Sequence, residues 1–210
     1  MPSFMKDKNT INEFEYKRLF VDIEKSSTTE KLNQIARDFR LEIVENKKYP
    51  KLQFQLNNKD VDGLLDGNGE VSINQKDLDP IAKLLYAMIW KQGDLQKLKH
   101  IIRGIRDSEK ESTEFDSDAI VFHSFGNHLA NHLENPSKSP IIDQHVIRAY
   151  NVFDNFPQEE RFRKIDKVKK EDREKYLEWI NANFKDRDSK FMYLLDKLLF
   201  EIGKIIKSKR

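Results

Sequence analysis

The sequence predicts a mostly α-helical protein. Apolar residues recur at helical spacing through most of the 210 residues. Proline, aspartate, threonine and glycine punctuate the ends of those stretches. Only one short region, residues 52–73, alternates apolar and polar positions in the manner of strands.

Taken in order, residues 10–24 set Ile11, Phe14, Leu19, Phe20 and Ile23 near helical spacing. Residues 29–47 do so more clearly, with Leu32, Ile35, Ala36, Phe39 and Ile43 on one face and Thr28 or Thr29 as the cap. Tyr49-Pro50 breaks the pattern. Leu52, Phe54, Leu56, Val71 and Ile73 alternate with polar residues, which predicts a small β-hairpin around Asp66-Gly67-Asn68-Gly69. Asp79-Pro80 opens the next helix, with proline at its first position and Ile81, Leu84, Leu85, Met88 and Ile89 as a buried stripe. Gly93 ends it, and Asp94 starts a helix carrying Leu95, Leu98, Ile101, Ile102 and Ile105. A polar loop, 107–117, leads into a helix from about Asp118 to Glu134, interrupted near Ser124–Gly126. Ser139-Pro140 begins the helix that bears Asp143. Two more helices follow, 171–183 and 189–207, the second with Phe191, Leu194, Leu195, Leu198, Leu199 and Ile202. The chain divides into 1–76, 77–138 and 139–210.

Composition narrows the function classes. The charged fraction is 35% and the hydrophobic fraction 38%, with 14 Phe, which describes a well-solvated protein with a phenylalanine-rich interior. No apolar run approaches the length of a membrane span. The first residues lack the apolar segment of a signal peptide. With no cysteine there is no disulfide, thiolate zinc site or iron–sulfur cluster. Together these features favour a cytoplasmic protein. Charge is unevenly spread: residues 157–210 hold 16 Lys/Arg against 11 Asp/Glu, and the rest hold 22 against 25. A basic C-terminal third suits a polyanionic partner, although charged helix faces are also ordinary solvated surface.

The chemistry concentrates in 122–150, which contains four of the five histidines. Apolar residues lead into a tight turn at Ser124-Phe125-Gly126, with helix on either side. About fifteen residues beyond, Asp143-Gln-His145-Val-Ile-Arg148-Ala opens another helix. This arrangement resembles the helix–hairpin–helix superfamily of DNA glycosylases. Phe125-Gly126-Asn127-His128-Leu129-Ala130-Asn131 is similar to the exit of that family's hairpin. Ile142-Asp143-Gln144-His145-Val146-Ile147-Arg148-Ala149 is similar to its aspartate segment, and is the better match of the two. The resemblance covers roughly 30 residues directly.

It implies a two-lobed helical fold in which the N-terminal and C-terminal helices form one lobe and the internal helices, roughly 77–138, the other. It implies a partner, duplex DNA with a flipped nucleotide. The hairpin residues Ser124, Phe125, Gly126 and Asn127 would bind backbone phosphate, helped by Lys138, Arg148, Arg161, Arg163 and Lys164. Asp143 would stabilise positive charge on the sugar or activate water, as carboxylates do in glycoside cleavage. His128 stands where bifunctional members carry a lysine. An imidazole is a poor Schiff-base former, so the implied activity is monofunctional base excision without a cofactor, with His128 touching base or phosphate.

Three other readings accompany it. Asp143 is also what a helix first turn favours for electrostatic reasons alone. The chain could be a non-catalytic helical DNA-binding protein. His128 and His132, four apart, with His123 and His145 nearby in sequence, could instead serve a metal-dependent hydrolase, although no His-Glu-x-x-His pattern is present. Asp66–Val71 is a turn and not a calcium loop, since Leu64 and Gln75 occupy two of the strongest ligand positions.

Overall fold

The computed structural model describes residues 13–43, 49, 51–108, 119–155 and 167–208. The mostly helical class holds. Eight α-helices lie among the described residues: α1 Glu13–Glu24, α2 Thr29–Asp38, α3 Pro80–Lys91, α4 Leu95–Arg106, α5 Ile120–Asn131, α6 Gln144–Asn155, α7 Lys170–Phe184 and α8 Ser189–Ser208. None is long and apolar enough to cross a membrane. Ile11, Arg161, Arg163 and Lys164 lie outside the described residues, as does the side chain of Phe14.

Buried apolar side chains form two clusters. The larger joins the two ends of the chain. α1 contributes Tyr16, Leu19, Phe20 and Ile23, one face of a helix by their spacing, and α2 contributes Leu32, Ile35 and Ala36. α6, α7 and α8 complete it, with Trp179 packed against Phe20, Tyr150, Tyr176 and Phe184. The Trp179 indole N–H donates to Glu24 Oε1 at 2.8 Å, which satisfies the polar end of a largely buried ring. The smaller cluster is internal: Val61, Ile102, Ile105, Leu129 and Ala130, flanked by Leu52, Leu56, Leu64, Leu65 and Val71.

The two most extensive helix pairs, α4 with α5 and α6 with α8, both cross at glycine. Gly104 and Gly126 face each other, and a Cβ on Gly126 would stand 2.8 Å from Gly104 Cα and 2.9 Å from Ile105 N. A Cβ on Gly203 would collide with the backbone of His145. These contacts are backbone against backbone, so no side-chain rotation would relieve them.

Several expectations are corrected. α5 runs without interruption through Ser124, Phe125 and Gly126, so no turn forms there. Glycine serves a close helix crossing as readily as a turn, and here the crossing with α4 is what requires it. The stripe Ile81, Leu84, Leu85 and Met88 on α3 is 54–67% exposed and not buried, since no described residue covers it. α2 stops at Asp38: Phe39 caps it, Arg40 takes φ 53°, and Leu41 N donates to Ala36 O at 2.8 Å. The turn at Asp66–Gly69 forms, with Asp66 Oδ1 accepting from the N–H groups of Asn68 and Glu70 at 2.9 Å. The hairpin it was to connect is reduced to one antiparallel bridge between Leu65 and Val71. Leu56 N donates instead to Leu129 O on α5 at 3.0 Å, which ties the extended segment to the internal cluster.

Candidate functional site

α6 starts where Asp143 stops the preceding extended residues. Its carbonyl accepts from Ile147 N at 3.1 Å, the first turn of the helix. Its Oδ1 accepts from the backbone N–H of His145 at 2.7 Å and of Val146 at 2.8 Å. Asp143 is thus the N-cap, and two groups that a helix start leaves unsatisfied fix its carboxylate. It is half-buried.

Pro140 and Ile141, just before it, line a pocket whose other walls come from both apolar clusters: Leu52 from the internal one, Met192 on α8 from the terminal one. Its void is about 40 Å³, room for a few water molecules, at the bottom of a recess that opens to solvent. Its surface is largely apolar, with polar groups at few points, the composition of a small-molecule site. α5 supplies His128 and His132, whose rings stack with centroids 4.6 Å apart. Phe125 extends the stack, 6.2 Å from His128 and 13° from coplanar with it.

Carbonyl partners settle both tautomers. His128 Nδ1 lies 2.8 Å from Ser139 O, and His132 Nδ1 lies 2.9 Å from His128 O. A carbonyl only accepts, so Nδ1 carries the hydrogen in each ring and Nε2 of the neutral ring is an acceptor. Burial pushes the His128 pKa down to about 4, so this imidazole is neutral near pH 7.

Opposite, on α8, stands Asp196, 5% exposed. The Tyr49 hydroxyl donates to its Oδ2, and the Tyr193 hydroxyl donates to Tyr49 O. Burial, and then the charge of Asp143, hold the Asp196 carboxyl well above the usual carboxylate range. Burial raises the Tyr49 phenol, as do the charges of Asp196 and Asp143. The pocket therefore brings together a carboxyl whose pKa burial raises, a neutral imidazole and a phenol, with the charge of Asp143 near enough to act on the carboxyl and the phenol.

The remaining expected residues are dispersed. Ser124 is buried and its Oγ accepts from Arg173 Nε at 3.1 Å, while Gly126 is sealed against α4, so neither is available to phosphate. Phe125 is half-buried against the internal cluster and is no hairpin tip. Asn127 sits half-buried within α5 and its carbonyl accepts from Asn131 Nδ2 at 3.3 Å. Arg148 is 3% exposed and donates to Gly203 O at 3.4 Å, which places it in the α6–α8 interface and away from a DNA surface. Lys138 is exposed, in the turn between α5 and α6.

The histidines divide. His123 is buried 3.5 Å from Asp107, and His145 packs on Phe200 with centroids 4.7 Å apart. Only His128 and His132 share the pocket. Among the described residues no three His, Asp or Glu side chains gather as metal ligands would, so the metal-dependent alternative loses its cluster.

Sequence reasoning missed Tyr49 and Asp196. A signal for Asp196 was present: with Met192 four before it and Leu199 three after, it lies on the buried face of α8. Tyr49 was legible only as the residue before a proline.

No protein-family model, characterised protein or solved structure significantly matches the chain.

Proposed function

We propose that the protein is a monofunctional DNA glycosylase in which Asp143 stabilises the sugar cation, or directs water to it, as a damaged or modified base departs. The observation that carries this reading is the pinned N-cap carboxylate of Asp143 beside an apolar, ring-lined pocket. Cleaving an N-glycosidic bond builds positive charge on the sugar, and a carboxylate fixed by two backbone N–H groups meets that charge without reorganising. A flipped base needs an apolar, flat-walled space; the pocket has such walls, and its void of about 40 Å³ would have to widen to admit a base. The two apolar clusters that line the pocket support the two-lobed arrangement, with the terminal helices on one side and the internal helices on the other. His128, neutral at its wall, supports hydrolysis over a lysine-type lyase step. Lys138 and the basic C-terminal third would contact phosphates in place of a hairpin at Ser124–Gly126.

The test is base release from oligonucleotides carrying a broad panel of damaged and naturally modified bases, with EDTA present. The expected result is alkali-revealed strand breaks that fall by about 10²–10³-fold in Asp143→Asn, the scale of losing one preorganised electrostatic group. Strand breaks unchanged in Asp143→Asn would overturn the assignment of the carboxylate. Salt-sensitive DNA binding without release on any substrate would favour the non-catalytic DNA-binding reading, which the helical Ser124–Gly126 segment also suits.

A further inference from the structure

Of the eight large apolar side chains exposed among the described residues, five lie on α3: Ile81, Leu84, Leu85, Met88 and Trp90. No residue of α3 is buried. A helix of 12 residues with no covered face is marginal in water, and one this apolar gains most by packing against another surface.

The spacing of the stripe says what fits it. Ile81, Leu84, Leu85 and Met88 stand at i, i+3, i+4 and i+7, a set that reads the same from either end. A two-fold axis between Leu84 and Leu85 therefore lays Ile81 of one copy on Met88 of another, and Leu84 on Leu85. Each apolar residue then meets one of similar size, as an isologous contact requires. The charges obey the same axis. Lys91 is exposed and extends the row of Leu84 and Met88 at the end of α3. Before its start, Asp77 and Asp79 are exposed and outnumber Lys76. Asp94, past the far end, is already paired with Lys97. Lys83, the other ionisable side chain of α3, stands off the stripe by its spacing. An antiparallel pair thus brings each Lys91 opposite the other copy's Asp77, and sets opposite ends of the helix dipoles together. A parallel pair would set like ends together.

We propose that α3 is a self-association surface through which two copies of the chain pair antiparallel, centred on Leu84 and Leu85. The four side chains of the stripe cover less than the about 800 Å² per partner of a stable interface, so the association is weak and depends on concentration. In dilute solution the chain is a monomer with the stripe exposed. The proposal is independent of the glycosylase reading.

The test is sedimentation velocity of the full chain from about 1 µM to about 500 µM, the span in which an interface below standard size assembles. Wild type is expected to pass from monomer towards dimer. Leu84→Glu, at an exposed position, is expected to keep its melting temperature and to stay monomeric throughout. At low salt, Lys91→Glu and Asp77→Lys are each expected to weaken dimerisation about threefold or more, and the two together to return it to within about twofold of wild type. That recovery separates an antiparallel pair from unspecific apolar clustering. Dimerisation that ignores Leu84→Glu, or charge reversal without recovery, overturns the proposal. So does a monomer at every concentration. In that case a clear fall in melting temperature for Leu84→Glu assigns the cover to another segment of the same chain, and wild type that sediments with anionic vesicles assigns it to a membrane surface.

Discussion

The Asp143 carboxylate caps α6, so replacing it has a structural consequence and, in the proposed function, a chemical one, and the two can be separated. Asparagine caps a helix about as well as aspartate, whereas alanine forfeits about 1 kcal/mol. Asp143→Asn is therefore expected to unfold within a few tenths of a kcal/mol of wild type and Asp143→Ala about 1 kcal/mol earlier, by urea denaturation, while both lose base release. Equal stability of all three would mean that the cap bonds contribute nothing. Gly126 makes a sharper case. Alanine at an exposed helix interior position stabilises by about 1 kcal/mol over glycine. At Gly126 a Cβ meets the α4 backbone, so Gly126→Ala is expected to destabilise by about 2 kcal/mol or more. A gain in melting temperature would mean that the crossing with Gly104 is looser than described. The same residue marks where sequence reading stopped short. A glycine between apolar residues is equally consistent with a turn and with a close crossing, and the partner that decides, Gly104, is 22 positions away. Arg148 misled similarly, because its burial depends on Gly203 and α8, far along the chain.

At the scale of elements, periodicity and caps were informative because they are local. The starts of α3, at Asp79-Pro80, and of α4, just after Asp94, lie where caps predict them. Which face is covered is not local information. α3 carries a regular apolar stripe, yet Ile81, Leu84, Leu85 and Met88 are more than half exposed. Burying such a side chain and truncating it costs about 2–5 kcal/mol, and an exposed one within about 0.5. Leu84→Ala and Leu85→Ala are therefore expected to leave the unfolding midpoint almost unchanged. Leu98→Ala on α4, whose side chain packs against the internal cluster, serves as a positive comparison and is expected to shift it clearly. A loss of 2 kcal/mol or more at Leu84 or Leu85 would show the stripe covered in solution. The residues after Leu52 carry the converse lesson. Alternation there reads as strand, but the backbone bonds that a strand partner would take go to Leu129 on a helix.

For the whole molecule, the pocket joins the two clusters, and its ionisable groups make stability depend on pH in opposing ways. His128 has its pKa lowered by burial from 6.5 to about 4. Its neutral form is the one the fold accepts, so the unfolded chain binds more protons between those values and stability rises with pH across them. This contribution is complete above about pH 6.5 and lost as pH falls towards 4, with a size of about 3 kcal/mol. His123, also lowered by burial, acts in the same direction. Asp196 opposes them: its raised pKa means that stability falls as pH climbs from the unfolded carboxylate value through the folded one. The net profile mixes these terms, so the wild-type curve alone cannot assign them, but variant differences can. His128→Gln cannot take up the proton, so its melting temperature is expected to fall less than that of wild type between pH 7 and 4.5. Asp196→Asn is expected to fall more steeply over the same interval, because the opposing term is gone. Parallel curves for wild type and His128→Gln would mean that the imidazole accepts a proton as readily folded as unfolded, which is incompatible with the burial that lowers its pKa against the opposing pull of the Ser139 carbonyl.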